Sequence, residues 1–277
     1  MKNFLSGMLF IAAMSIALPA RSHEFWMTAT AADAPDNDSV ACTMHYGENY
    51  DGPLVGWVKS FVLSLRVYSK GSSEDLRERL SEAALPAINL RFPKTGSHLI
   101  ALDSAPSMIT LSGEKFHSYL HEEGLYAIIK QREAAGSAAT PGRERYRRHV
   151  KALVKTGGAA DATFGVRTGQ RIEIVPLLNP FTSAPGATLK FIVLFEGKPL
   201  ADVLLKAWHK HDDQVLQIKA RTDADGKVDV TLPFAGPWML SAVHMIPATD
   251  TNEADWDSLW GNLTFELPRK AGKSRPR

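Results

Sequence analysis

The chain has 277 residues, of which 44% are hydrophobic and 22% are charged. A composition of this kind can bury a substantial core, so intrinsic disorder is excluded as the default state. The 32 basic residues nearly balance the 30 acidic ones, and nothing in this charge indicates the basic face that a nucleic-acid partner requires.

The first residues have the layout of a secretory signal. Lys2 precedes an apolar run from Met8 to Leu18, which at about eleven residues is well short of the roughly twenty that a membrane-spanning helix needs. Cleavage after Ser22 leaves small residues at the last and third-last signal positions, whereas cleavage after Ala20 leaves Leu18 at the third-last. We therefore predict a signal peptide over residues 1–22, a periplasmic mature chain that begins with His23, and no membrane span in that chain.

Short strand patterns separated by Pro and Gly dominate the first half of the mature chain. Predicted strands cover residues 60–68, 88–93, 97–103, 107–112 and 125–131. Ser73 is the expected cap of a short helix that ends at Pro86. The basic segment 143–155 has apolar residues at roughly helical spacing, and it fits either a helix or an extended connection.

The second half alternates more regularly between apolar and polar residues. Predicted strands cover residues 171–176, 189–195, 203–209, 228–232 and 238–245. Turn residues at 196–200 and at 223–226 separate them. The second of these turns, Asp-Ala-Asp-Gly, lacks the later ligands of a calcium-binding loop, and an Asp-Gly turn accounts for it without a metal ion.

These patterns predict a mainly β chain of two antiparallel β-sandwich domains, Ig-like or transthyretin-like, with small helical insertions. The N-terminal β domain covers residues 23–155 and the C-terminal sandwich covers residues 169–268, with a boundary near 156–168. Residues 269–277 contain five basic residues and are expected to form a disordered basic tail. Cys42 is the only cysteine, so an intramolecular disulfide is impossible, and we expect it to be a small core residue.

Several stretches of the chain resemble the DUF4198 family, also called the NikM-like or nickel-uptake-associated periplasmic family. They are His-Glu-Phe-Trp at 23–26, His-Tyr-Gly at 45–47, the basic stretch 144–154, Glu-Ile-Val-Pro-Leu-Leu-Asn-Pro at 173–180, Gly-Lys-Pro-Leu at 197–200, and residues 236–244 and 255–265. The resemblance implies a periplasmic, β-rich protein linked with nickel or cobalt uptake. The chain departs from the family's pattern at residues 147–149, Arg-Arg-His, where smaller or apolar residues are more frequent.

A mature N-terminal histidine is the strongest metal-ligand candidate in the sequence. The α-amine and Nδ1 of His23 would chelate one ion, and His45 and His244 are the candidate partners that complete a set of nitrogen ligands. Such a set suits nickel, cobalt or copper, with copper favoured by intrinsic affinity. Glu24 and Asp255 could accept a hydrogen bond from a ligating imidazole and so fix its tautomer.

Two further histidine pairs are weaker candidates. His209 and His211 would share one face of a strand, but their polar neighbours favour a solvated strand end. His117 and His121 would share one face of a helix, although the surrounding residues fit a strand equally well.

We interpret the chain as a periplasmic protein that binds a divalent transition metal and supports its uptake or delivery, with an uptake transporter as the possible partner. Binding alone accounts for this function, and no motif of the common hydrolases or kinases is present in the sequence. Two alternatives remain open: a histidine-brace copper oxidoreductase, and a metal-free binding or adhesive β-sandwich module.

Overall fold

A computed structural model describes residues 23–31, 39–211 and 214–269 of the chain. The predicted signal peptide and residues 270–277 of the predicted tail lie outside the described residues. The described chain is mainly β with two short α-helices, which confirms the predicted fold class. No helix within these ranges is long and apolar enough to span a membrane.

The secondary-structure elements of the described residues are numbered in chain order. The strands are β1 (Glu24–Ala31), β2 (Ser39–Gly47), β3 (Leu54–Val55), β4 (Val62–Ser69), β5 (Ser72–Asp75), β6 (Ile88–Arg91), β7 (Gly96–Ser104), β8 (Ser107–Leu111), β9 (Gly142–Thr156), β10 (Ile172–Pro176), β11 (Thr188–Phe195), β12 (Lys198–Pro199), β13 (Leu204–His211), β14 (Gln214–Arg221), β15 (Lys227–Thr231), β16 (Gly236–Pro247) and β17 (Trp256–Leu267). The helices are α1 (Gly113–Glu122) and α2 (Tyr126–Ala134).

In the described ranges these strands form three sheets. The central sheet has the order β14-β13-β16-β17-β9-β7-β4-β5, and β8 also pairs with β9. The N-terminal sheet joins β1, β2 and β3, with β6 also paired to β2, and the C-terminal sheet joins β10, β11 and β12, with β15 also paired to β11. The pairing of β9 with β17 is parallel.

The segment left open between a helix and an extended connection is the long strand β9. One edge of β9 pairs with β8 and then with β7, and the other edge pairs with β17. Its apolar residues are buried on both faces, with Val150 against the N-terminal sheet and Leu153 against the C-terminal sheet. The β9–β17 hydrogen bonds therefore continue one sheet across the predicted boundary at 156–168.

The central sheet is covered on both faces. The N-terminal sheet packs on one face, where Met27, Cys42 and Met44 contact apolar residues of β4, β7 and β9. Helices α1 and α2 pack on the same face further along, against Val243 and Trp260. The C-terminal sheet packs on the opposite face, because alternate residues of β16 and β17 point to opposite sides of a strand.

Strand β1 rests on the central sheet through the edge that β2 does not use. Its carbonyl groups at Phe25 and Met27 accept hydrogen bonds from Asn262 Nδ2 and Thr264 Oγ1, both at 2.6 Å. The carbonyl of His23, one step earlier along the same edge, accepts from Arg148 Nη2 at 2.9 Å. Side chains of β9 and β17 thus fix the start of the described chain against the central sheet.

Most of the predicted strands are confirmed. β4, β6, β7 and β8 fall where the first half predicted strands, and β10, β11, β13, β15 and β16 do so in the second half. Cys42 is buried as expected, and burial raises the pKa of its thiol to about 12. Asp223 Oδ1 accepts from the backbone N–H groups of Asp225 and Lys227, which confirms the turn.

The predicted helix over residues 73–86 is wrong except for one 3-10 turn at Arg77–Arg79. Residues Ser72–Asp75 instead form β5, an edge strand that pairs with β4. The local helix signals at Ser73 are outweighed because pairing with β4 satisfies the backbone, while Leu76 and Leu80 enter the N-terminal core.

The predicted strand over residues 125–131 is also wrong, because this segment forms α2. The buried residues Leu125, Ile128, Ile129 and Arg132 recur at three- and four-residue spacing, which places them on one helical face. That face packs on α1 and on Trp260 of the central sheet.

Candidate functional site

His23 lies immediately before β1 with its imidazole exposed. The ring stacks on Tyr46 with 4.8 Å between centroids, and Nδ1 lies 3.9 Å from Glu48 Oε1. With its carbonyl held by Arg148, the residue has a defined main-chain direction. The ring is therefore oriented toward a carboxylate rather than toward another histidine.

His45 lies on β2, opposite Trp26 of β1, and its ring stacks parallel to the indole at 5.2 Å. Its Nδ1 is 3.4 Å from the carbonyl oxygen of Gly52, and its Nε2 is 3.1 Å from Thr43 Oγ1. Burial lowers the pKa of His45, and the hydrogen bond to the Gly52 carbonyl opposes this only in part. The neutral imidazole is thus held by polar neighbours at both nitrogens.

His244 lies on β16, on the face of the central sheet that the C-terminal sheet covers. Its ring packs against Phe195 at 4.6 Å. Burial lowers the pKa of His244, and the charge of Arg171 lowers it further. Its surroundings are therefore an aromatic ring and a guanidinium group.

The structure does not bring the three predicted ligands together. His45 shares the side of the β1–β2 pair that carries Trp26, whereas His23 stacks on Tyr46, which points to the other side. His244 is separated from both by the central sheet. Among the residues the structure describes, no group of three or more His, Cys, Asp or Glu side chains is arranged to hold a metal ion.

The two carboxylates expected beside a ligating imidazole have other partners. Glu24 is buried, with Oε1 3.0 Å from Ser241 Oγ and 3.5 Å from Lys206 Nζ. Asp255 binds Arg143 at 2.7 Å, and the hydrogen bond from this guanidinium lowers the pKa of the carboxyl. Both are structural groups in this fold.

The other histidine pairs differ from each other in geometry. His209 and His211 do share one face, with rings 6.1 Å apart, but His209 is buried and its Nδ1 donates to the Pro237 carbonyl at 2.7 Å. His117 and His121 lie on α1, which settles the choice between helix and strand, and their Nε2 atoms are 3.1 Å apart.

Two pockets flank the β1–β2 pair. On the His45 side, a pocket of about 420 Å³ is lined by Trp26, Thr28, Thr43 and Tyr50, among others. On the His23 side, a pocket of about 340 Å³ lies among aromatic rings. Arg148 reaches this second pocket and packs over the rings of Phe25, Tyr146 and Trp260 at 5.0–5.9 Å.

Sequence reasoning did not find Glu48 or Arg148 as neighbours of His23. Glu48 follows the motif that contains His45, but its place beside His23 depends on the β1–β2 register. Arg148 belongs to the Arg-Arg-His departure from the family's pattern, and this departure was the available signal.

Fold and pockets together define a layered, mainly β protein whose N-terminal strand pair is flanked by ligand-sized pockets. Residues 20–246 match the family described as a domain of unknown function, DUF4198. The match covers most of the chain, so the protein belongs to the DUF4198 family. No curated protein matches the chain.

Proposed function

We propose that the mature protein binds a divalent transition metal ion in the periplasm through His23 and supports uptake or delivery of that ion. The observation that carries this proposal is the exposed His23 ring, whose Nδ1 lies 3.9 Å from a Glu48 carboxylate oxygen. Cleavage before His23 would create a free α-amine on the same residue, as a further nitrogen ligand beside Nδ1. A nitrogen chelate with one carboxylate would result.

The spacing of these groups suits an ion after a small adjustment. Two ligands about 2.05 Å from an ion and at right angles to each other are about 2.9 Å apart. The Glu48 side chain is 30% exposed and the His23 side chain 46% exposed, and binding one ion would require their ligand atoms to approach each other by about 1 Å. Tyr46 beneath the ring and Arg148 on the His23 carbonyl restrict the other motions of His23.

The candidate metal ions are those of nickel, cobalt and copper. Resemblance to the NikM-like branch of the family supports nickel or cobalt. Intrinsic affinity favours copper at a site of imidazole and amine nitrogens. In this proposal Glu48 replaces His45 and His244 as the partner of His23, and delivery to an uptake transporter would use the exposed side of the ion.

The test uses untagged protein exported to a bacterial periplasm and analysed by native mass spectrometry with equimolar nickel, cobalt and copper. We expect a mass that begins at His23 and retains one ion at this site. His23→Ala removes the imidazole of the proposed chelate and should weaken binding about a hundredfold. Glu48→Gln should weaken it about tenfold.

A matched control is His244→Ala, which removes a histidine from the opposite face of the central sheet and should leave this affinity unchanged. Unchanged affinity in the His23→Ala variant would contradict the proposal. Copper-dependent oxygen consumption by the loaded protein would instead support the oxidoreductase alternative.

A second candidate function is binding of a small organic molecule without metal. The pocket on the His45 side favours it, because parallel Trp26 and His45 rings and two threonine hydroxyls line one cavity. Such a lining suits a compact molecule with one flat face and hydroxyl or carbonyl groups. Absence of metal from the His23 form, together with a ligand-induced rise in Tm that Thr43→Val reduces, would favour this function.

A further inference from the structure

Two histidines of helix α1 have adjacent imidazole rings, at a place in the sequence far from His23. His117 and His121 are one helical turn apart, and their Nε2 atoms are 3.1 Å from each other. The rings meet edge to face, with 4.6 Å between centroids and 74° between planes. The two Nε2 atoms share one hydrogen bond, so they lie side by side on the helix, and a metal ion bound by both would replace the shared proton.

This separation matches a pair of ligands on one ion. Two nitrogens 3.1 Å apart, each about 2.05 Å from a metal, subtend an angle of about 98° at that metal. The value lies between the right angle of a square arrangement and the angle of a tetrahedral one. Copper(II), nickel(II) and zinc(II) all accept imidazole nitrogens in such arrangements.

The helix holds the pair in place from below. Ser112 caps α1 by accepting from the backbone N–H of Lys115, and Phe116, Tyr119 and Leu120 are buried. Tyr119 stacks on Trp260 at 5.9 Å, and the Arg132 guanidinium packs over the Phe116 ring. An ion would thus meet two ligands whose backbone is already fixed, which lowers the entropy lost on binding.

The surroundings of this pair differ from those of the buried histidines. His45 and His209 have ring nitrogens bonded to carbonyl oxygens inside the protein. His121 is exposed and His117 is half-buried, and the described ring contacts of His121 are with His117 and, at 5.9 Å, with the edge of Tyr126. The outer side of a bound ion would therefore be open to water or to a ligand from another molecule.

We propose that His117 and His121 form a separate surface site for an imidazole-preferring divalent ion, with copper(II) bound most tightly. Water completes the coordination, so the site exchanges its ion readily. It does not depend on the His23 site, because it uses neither the chain terminus nor β1.

The experiment measures copper(II) binding by calorimetry in the His23→Ala background, which removes the proposed N-terminal site. We expect one equivalent of copper to remain, and His117→Ala or His121→Ala to weaken it about a hundredfold because one ligand replaces two. The electron paramagnetic resonance spectrum of copper(II) bound to the His23→Ala protein, the parent of these variants, should show coupling to two imidazole nitrogens. Circular dichroism checks that each variant keeps its fold.

A swap variant is the matched control. Combining His121→Ser with Ser118→His keeps the composition and leaves two histidines on α1. Adjacent residues on a helix do not face each other, so this variant should bind as weakly as the single alanine variants.

Copper affinity in the single variants or in the swap variant within twofold of the parent would overturn the proposal, as would a spectrum with one nitrogen. The proposed function would fail separately, if replacing His23 in a His117→Ala chain left its metal affinity unchanged.

Discussion

Lys206 and Lys151 are both buried, on opposite faces of the central sheet, and their surroundings differ. Lys206 Nζ contacts Glu123 at 2.7 Å and lies 3.5 Å from Glu24. Burial alone would lower the pKa of Lys206, but these two carboxylates outweigh it and raise the pKa. The ammonium therefore stays charged and links β13 to α1 and β1.

Lys151 has carboxylates nearby that are engaged elsewhere. Asp103 accepts from His149 Nδ1 at 2.7 Å and from Gln170 Nε2 at 3.0 Å, and Glu173 accepts from the backbone N–H of Thr168. Burial lowers the pKa of Lys151 to about 8, and the charges of Glu173 and Asp103 offset this only in part. A carboxylate stabilises a buried lysine when it is in contact and its oxygens are available.

The largest effect should come from Lys206→Met. Glu24 and Glu123 would then be buried without a cation, and the free energy of unfolding at pH 7 should fall by about 3–5 kcal/mol. Urea denaturation followed by tryptophan fluorescence measures it. Lys151→Met is the control on the other face and should be no less stable than the wild type at this pH. An equal fall in the free energy of unfolding in both variants would show that the carboxylates around Lys206 do not make it more important for stability than Lys151.

The next effect is the pH dependence that Lys151 produces. Its folded pKa of about 8 lies below the ordinary value of 10.5, so the unfolded chain binds more protons between these two pH values. Stability should therefore rise from pH 8 to pH 10.5 by about 3 kcal/mol. Comparing unfolding of the wild type and Lys151→Met across this range isolates the contribution. If the free energy of unfolding of Lys151→Met rose by the same amount over this pH range, the rise would be due to other titratable groups.

The smallest effect concerns the two carboxylates that share Lys206. Burial raises the pKa of Glu123 to about 7, with Lys206 opposing the shift and Glu24 adding to it. The folded chain then binds more protons than the unfolded chain between pH 4.5 and 7, so stability falls as pH rises through this range. Glu24→Gln removes one negative charge and should reduce that fall by about 1 kcal/mol. An unchanged profile would show that Glu24 does not act on Glu123.

Much of the fold could be predicted because its strands are short, apolar and bounded by turn residues. β9 could not be assigned, since Val150 and Leu153 are buried on opposite faces and its apolar residues follow no single period. α2 was missed although Leu125, Ile128 and Ile129 have helical spacing, because a short apolar run fits both structures.

The candidate site was harder to predict than the fold. The sequence analysis named His45 as a partner ligand of His23, but the β1–β2 register places their rings on opposite sides of the strand pair. A register is a long-range property that neither motif contains. The buried lysines did leave a signal, because Lys206 stands alone among Leu205, Ala207 and Trp208 in a strand.

The hydrogen bonds along the outer edge of β1 also affect how molecules of this protein meet each other. An edge strand with unpaired carbonyl groups is a template on which a strand from a second molecule can add. In β1 the carbonyls of His23, Phe25 and Met27 already accept from Arg148, Asn262 and Thr264. This end of β1 is thereby protected against edge-to-edge pairing, while the His23 ring is exposed to solvent.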